Sequence, residues 1–523
     1  MSLAADEGAL RGGVSLRVGA PLVAFVLASL CAVLPILMHS YLPLIDLPNH
    51  IARMHIAAHG DGALARYYTS ELSLVPNSAV DYLWMVWPFG DDPVVFSKYV
   101  MAFYAVSFIG SGMFLARVIH GRWTLWSAAV ALIVFNGPFF WGFQNFVVSL
   151  PFCLVFLGLW LLLEARGLTL RLAVFFPLAL ALYLMHFFAF MILAVAVFGR
   201  EVQVAVTGGG AAPRRLGRLF ALMLPFGAPV LWLIYGMVTG PAAAPGSRTE
   251  FGSVSERFIG LFSPFTSVNA WGVPPLQVIG YLAGALVGLC LVTLFLRRGP
   301  RLEVSPKMVG PLVALGFAAL VAPTWLSGVA LVHYRVPVVL CAVFFAATQW
   351  RGLSPRRAVY LALCIGVLVG LRSVYFEKFT ARYDADIRDM LGAMQDLPAG
   401  ARVFPARGPG MEQDRRFFHV QAYAVTERDA FVPTLFLGTH SVQLKPEWEA
   451  YAHPALFAVD LRRILQQDLY PVLPSAQFMS DWQAKYTHVL LLDKDERGVS
   501  DDPRLTLERR QGQFSLFRVA PPV

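Results

Sequence analysis

Charged side chains are scarce in this chain. Asp, Glu, Lys and Arg make up 14% of its 523 residues, where soluble globular chains carry about 25%, while apolar residues reach 57%. Those proportions exclude a soluble metabolic enzyme and a disordered chain. Cysteine is scarce too: Cys31, Cys153, Cys290, Cys341 and Cys364 all lie inside apolar runs. They offer no disulfide framework and no CxxC or His/Cys cluster for zinc. Residues 377–523 contain no cysteine and no GxGxxG, GxSxG or Walker A sequence, so neither a nucleotide loop nor a nucleophile elbow is signalled there. No internal repeat stands out.

Between Pro21 and Tyr375 one long apolar run follows another, whereas 377–523 have the charge density of a water-soluble domain. A membrane span needs roughly 20 apolar residues. Eleven segments qualify: 20–41, 94–117, 123–140, 143–163, 171–185, 187–206, 218–239, 274–296, 308–326, 336–350 and 358–376. At about 1.5 Å per residue, 171–206 is too long for one crossing, and His186 among Phe187, Phe188 and Phe190 is the natural break. Alternate loops are short and basic, carrying Arg117 and Arg122, Arg166 and Arg171, Arg214, Arg215 and Arg218, Arg297, Arg298 and Arg301, and Arg356 and Arg357. By the positive-inside pattern these loops and the N-terminus are cytoplasmic, and an odd number of spans puts the C-terminal region outside. The first span reads as a retained anchor. The net charge of +9 is mostly an orientation device and implies no nucleic acid. The predicted fold is a polytopic α-helical membrane protein with about 11 transmembrane helices in residues 1–376 and an extracytoplasmic α/β domain in 377–523. In that domain 383–397 reads as an amphipathic helix, 487–495 as a buried strand, and LTLERRQGQFSLFRV as a hairpin turning at Gln511 and Gly512.

Three outward segments can build a site. The first loop, 42–93, opens with YLPLIDLPNHIARMHIAAHG, where Pro48 suits a first helical position. Its PNSAVDYLWMVWP stretch is a short amphipathic helix of interfacial character, with Tyr82, Trp84 and Trp87. The second, 240–273, carries Arg248, Glu250, Glu256 and Arg257 and reads as a flap. The third is TWLSGVALVHYRVP, with His333, Tyr334 and Arg335 where the chain re-enters the bilayer.

Asp46 is the leading catalytic candidate. It stands just after the first span, where a carboxylate can take a proton from an acceptor hydroxyl. A helix beginning beside it would favour its ionised form and weaken it as a base; a capping role for Asp46 is equally open. His50, one turn on, can orient Asp46 or bind substrate. An arginine at the rim of a span snorkels or pairs with an anion, and a lipid-linked phosphate would suit Arg335. Arg53 either shares that phosphate or pairs with Asp46 or Asp81. Asp91 and Asp92 are placed to cap the second span. Glu250, Glu256, Arg248 and Arg257 fit a solvated loop face, His186 a hydrogen-bonded bundle histidine. Asn136, Gln144 and Asn145, in the tight NGPFFWGFQNF turn, can serve loop backbone or a sugar.

An acidic residue right after the first span, a long first outward loop with surface helices and about eleven spans together resemble the GT-C superfamily of integral-membrane glycosyltransferases. LIDLPNHIARMHI supplies Asp46 where these enzymes carry Asp-Glu or Asp-x-Asp, and PNSAVDYLWMVWP is similar to their Pro-Pro-x-Tyr-type surface helix. The resemblance implies a GT-C-like fold over 1–376 and a polyprenyl-phosphate-linked sugar as donor. It also implies Asp46 as general base, with Arg335 and Arg53 on the donor phosphate. The departure from Asp-Glu argues against a required divalent metal, and no other cofactor is expected.

The function expected is inverting transfer of a hexose or pentose from a polyprenyl-phosphate donor to a glycan, lipid or protein acceptor outside a bacterial inner membrane. The expected contacts are His50, Arg53, Asp81, Tyr82, Glu250, His333, Tyr334 and Arg335. A polytopic transporter is the rival from another class, disfavoured because nearly all spans lack charge. A non-catalytic membrane assembly protein of a cell-envelope polysaccharide pathway is a further alternative.

Overall fold

The computed structural model describes residues 4–522 apart from 60–61, 72–74, 240–248, 268–272, 327–328, 409–413, 437–441, 453–458, 461–464, 466–478, 480 and 494–501. In hydrocarbon only a helix pairs the backbone N–H and C=O groups within its own segment, and the eleven apolar runs are mostly helical, with 308–326 and 336–350 ending in short strands. Helix α1 (Ala4–Leu37) leads into α2 (Leu47–Ala58), strand β1 (Tyr68–Ser70) and α3 (Ala79–Met85). The bundle continues with α4 (Pro93–His120), a 3-10 segment, Trp126–Ile133, followed by α5 (Gly137–Phe140), then α6 (Gln144–Leu162), α7 (Leu168–Met185), α8 (Phe187–Thr207) and α9 (Ala212–Thr239). After α10 (Val254–Leu261) come α11 (Pro274–Val292), strand β2 (Arg301–Val304), α12 (Val309–Val321) and a two-stranded turn, β3 (Trp325–Leu326) with β4 (Val329–Ala330). Helix α13 (Arg335–Ala347), strand β5 (Thr348–Arg351) and α14 (Pro355–Ala393) complete it. Seven of the described helices are long and apolar enough to cross a membrane, and 126–140, 306–321 and 332–347 are shorter apolar helical segments.

Local chemistry sets the boundaries. Asp92 starts α4 by accepting the N–H groups of Val94 and Val95, the role expected of that acidic pair. Extended backbone at His186 separates α7 from α8, and its ring accepts the Phe188 N–H. Helices α8 and α12 touch backbone to backbone: a Cβ added at Gly199 would lie 2.5 Å from the Gly310 oxygen, so only glycines permit that approach. Arg372, buried in α14, donates to the carbonyls of Leu132, Phe135 and Phe265 and pins three segments together.

At roughly 1.5 Å per residue α14 is roughly 58 Å long, about twice the hydrocarbon thickness. It passes residue 376 without a break, because no proline interrupts it after Pro355. The separate helix expected at 383–397 is therefore the far end of α14. That end carries a mixed sheet of β6 (Val403–Arg407), β8 (Val459–Asp460), β9 (His488–Leu491), β10 (Leu505–Gln511) and β11 (Phe514–Val519), with β7 (Val442–Leu444) apart. The strand order is β10-β11-β9-β6-β8, with β6 parallel to both β9 and β8. The hairpin closes with Gln511 opposite Phe514, so its turn is Gly512 and Gln513, one residue later than expected.

The first loop and the C-terminal region are one packed unit. Strand β1 pairs antiparallel with β7, Tyr67 donates to the Gly400 carbonyl at 2.6 Å, and Asp384 of α14 accepts the N–H groups of Ser40 and Tyr41 at 2.9 and 2.8 Å. His55 of α2 meets Asp429 at 2.8 Å, next to the short helix α15 (Tyr423–Arg428).

Candidate functional site

Asp46 lies at the head of α2, wedged between that helix and the 136–143 turn. Its N–H donates to the Trp141 carbonyl at 3.0 Å and that of Ile45 to Phe140 at 3.1 Å. Gly142 makes this possible: its φ is +75°, and an added Cβ would lie 2.8 Å from the Asp46 nitrogen, so a side chain would push Asp46 away. Although Asp46 occupies the N-cap position, its carboxylate makes no capping hydrogen bond. Capping is thus excluded as the reason for an acid here. The carboxylate faces His419 at 3.6 Å, with side chains 14% and 8% exposed. Burial pushes the carboxyl up to about 8, with Arg335 pulling it the other way. Burial thus works against the helix start, which would favour the ionised carboxylate.

Arg335 opens α13 and is buried. Its guanidinium lies over the rings of Phe143, Phe188 and Phe146 at 4.4, 4.8 and 5.8 Å, and one nitrogen donates to the Ala330 carbonyl at 2.7 Å. Among the described residues it forms no ion pair. Cation–π contact offsets part of its desolvation but leaves its charge unneutralised. On the segments 141–144 and 333–335, joined by the Arg335–Phe143 contact, several further polar atoms are buried without a hydrogen bond. They are the Trp141 indole N–H, both ends of the Gln144 amide, the His333 Nδ1 and the Arg335 Nε. Buried polar atoms are ordinarily satisfied, and these two segments therefore form the candidate binding site. Arg415 adds charge nearby, lying 5.3 Å over the Trp141 ring.

The other expected residues divide into spent and unspent. Arg53 and Asp81 are bound to each other, one guanidinium nitrogen lying 2.6 and 2.8 Å from the two carboxylate oxygens, both buried. They tie α2 to α3. Asn136 caps α5 by accepting the Phe139 N–H, and Asn145 accepts the Val80 N–H. Glu256 is exposed, as expected of a solvated loop face, and it also closes a capping box with Ser253 at the start of α10. Glu250 bridges to β3 through its backbone, its N–H donating to Trp325 at 3.0 Å. The rings of His333 and Tyr334 are in contact at 4.6 Å, and Ser263 donates to the Tyr334 carbonyl at 2.7 Å; the α10 segment is thereby held on the Arg335 turn. His50 is half-buried on α2. Arg248 lies outside the described residues.

Tyr82 lines an apolar groove of about 900 Å³ between α3, α4, α6 and α7, walled by Trp87, Tyr99, Phe103, Phe152 and Met185 among others. Its volume is that of a large ligand site, and its lining offers almost no hydrogen bonds. No three His, Cys, Asp or Glu side chains gather as metal ligands among the described residues. Sequence reasoning missed His419, Trp141, Gly142, Arg415 and the phenylalanines around Arg335. His419 is separated from Asp46 by 373 positions, and no periodicity joins them.

The overall fold is similar to that of a solved polytopic membrane protein. The crystal structure of ArnT from Cupriavidus metallidurans in the apo state superposes with a TM-score of 0.51 at 13% identity, covering 97% of this chain and 98% of that one. The structure of the same protein bound to undecaprenyl phosphate gives 0.50 at 14% identity with the same coverage. No family model matches the sequence, and no curated protein matches it. At such low identity the likeness establishes the fold, and the chemistry has to be argued from the site.

Proposed function

We propose that the protein is an inverting glycosyltransferase that moves a sugar from an undecaprenyl- or decaprenyl-phosphate donor to an acceptor hydroxyl on the extracytoplasmic side of a bacterial inner membrane. Residues 1–376 form the transmembrane unit and 377–523 an external domain covering the cleft. Asp46 removes the acceptor proton while the acceptor oxygen attacks the anomeric carbon opposite the phosphate. The bond from that carbon to the phosphate oxygen breaks, and its electron pair leaves with the polyprenyl phosphate. Arg335 meets the developing charge with charge-assisted hydrogen bonds. His333, Tyr334 and Gln144 frame the headgroup, His50 and Glu250 line the approach of the sugar, and the groove beside Tyr82 takes the isoprenoid tail. The Arg53–Asp81 pair holds that groove wall in place, and no metal takes part.

The observation that carries this reading is the pairing of an Asp46 carboxylate released from capping with an unneutralised Arg335 beside unsatisfied polar atoms. An acid serving as base and a cation awaiting an anion are what phosphate-leaving transfer requires. The structure of an ArnT bound to undecaprenyl phosphate motivates the choice of lipid. Purified protein in proteoliposomes with radiolabelled polyprenyl-phosphate sugars tests it. Transfer to an acceptor that is lost in Asp46→Asn is the expected result. An unaltered rate in that variant sinks the assignment of Asp46, and accumulation of unmodified substrate inside the vesicles would establish transport instead.

A further inference from the structure

We infer that His419, supplied by the C-terminal region, is a positioning residue for Asp46 that acts as a cation beside it, so the α/β domain completes the active site rather than merely covering it. The inference rests on the transferase reading above and deepens it.

Geometry carries the argument. The Nε2 of His419 lies 3.6 Å from Oδ1 of Asp46, and both groups are largely shielded from water. The ring does not reach that place by chance. It packs edge-on against Phe436 at 4.8 Å, and the Phe436 N–H is held by the Asn49 side chain, one turn into α2, at 3.1 Å. A second clamp, His55 with Asp429 at 2.8 Å, joins the far end of α2 to the same region. Helix α2 therefore carries at its head the carboxylate and along its length the contacts that seat the domain bearing His419. Domain placement and base placement are one mechanical problem with one solution.

Several charged groups among the described residues surround this pair. Arg335 on α13 acts on Asp46, and His50 lies one turn along α2. On the segment before His419, Arg415 lies over Trp141, and Arg416 is engaged by Asp414 and Asp386. Burial pushes the Asp46 carboxyl up to about 8, where a base at neutral pH would be mostly protonated. An imidazolium at contact distance favours the ionised form. With Oδ1 facing that imidazolium, Oδ2 is left to take the acceptor proton.

Replacing His419 by Gln keeps the size and a hydrogen-bond donor but removes the charge. In the transfer assay, the acid limb of kcat against pH should move up by about one unit, so the rate below the limb falls about tenfold. It should converge on wild type only once the pH exceeds both limbs by about one unit, with KM little changed. A role limited to packing would lower kcat by the same factor at every pH, and a profile unchanged in position overturns the inference. The second readout needs no activity: a double-mutant cycle of Asp46→Asn and His419→Gln, scored by Tm of the detergent-purified protein. Coupling at neutral pH that disappears in acid is expected, and additivity at both pH values overturns the pair. His419→Asn replaces the Gln variant should that one fail to purify. The two readings separate cleanly. Loss of transfer in Asp46→Asn without coupling overturns the role of His419 alone. Coupling in a wild-type protein that transfers no sugar overturns the transferase reading, and with it a catalytic use for the pair.

Discussion

Two buried arginines show how differently the two ends of this bundle use charge. Arg171, at the start of α7, is 1% exposed and bound to Glu201 at 2.8 Å. It lies 4.2 Å over the Trp160 ring, and the indole N–H of Trp160 donates to the same carboxylate at 2.8 Å. Arg335 is 5% exposed and has three phenylalanine rings, one carbonyl and no ion pair among the described residues. Burial is alike at the two sites; neutralisation is not. Arg372 supplies the control, a buried arginine whose two terminal nitrogens donate to three carbonyls. The lesson is that burial of a charge says little by itself, and the inventory of its partners separates a structural tie from a candidate ligand site.

The comparison can be broken experimentally. The largest effect is expected from Asp46→Asn, which should lower sugar transfer about 10²–10⁴-fold while the purified protein remains folded. An intact transfer rate would mean that the unspent end is not catalytic. Next, Glu201→Gln should leave the Arg171 charge buried and unpaired, at a stability loss of about 3–5 kcal/mol. Its Tm in detergent should drop sharply, while the donor KM of any surviving fold stays near wild type. Arg335→Lys should behave in the opposite way. It should raise the KM for polyprenyl-phosphate donor about 10–100-fold, as expected from losing about 1.5–3 kcal/mol of charge-assisted bonding, with little change in Tm. If both arginines moved only Tm, the distinction drawn here would fail.

Gly142→Ala sharpens the picture at the level of backbone. The added Cβ meets the Asp46 nitrogen at 2.8 Å in a φ of +75°, so kcat should fall without loss of lipid binding, measured by isotope exchange of the labelled donor. The smallest effect concerns pH. The folded Asp46 carboxyl sits above its ordinary value, up to about 8. The folded chain therefore retains a proton that the unfolded chain releases from about pH 4 upward. Stability contributed by that proton is whole below about pH 4 and is lost as pH rises toward about 8. Asp46→Asn escapes the loss, so its Tm advantage should be absent in acid and grow to a few degrees as pH rises.

Much of the fold was legible in the sequence because the bilayer imposes one rule along the whole chain. A run such as 143–163 can only be a helix when water is absent, and His186 among its aromatics breaks 171–206 where the structure does. The candidate site was legible in part. Asp46 and Arg335 stood out because a charge at the edge of an apolar run is costly wherever the chain folds. Arg53 and Asp81 were named together, yet their mutual engagement was one option among several. His419 was invisible, because an ordinary histidine in a polar region carries no periodicity and no spacing to Asp46.

The linear order of residues determined the spans, the charged rims and the soluble end, all of which follow from the free energy of moving one segment between water and hydrocarbon. Tertiary structure alone decided which charges were satisfied. It joined Arg53 to Asp81, left Arg335 without an ion pair among the described residues and set His419 against Asp46. Satisfaction is a pairwise property of groups brought together from distant positions, and only packing in three dimensions chooses the pairs.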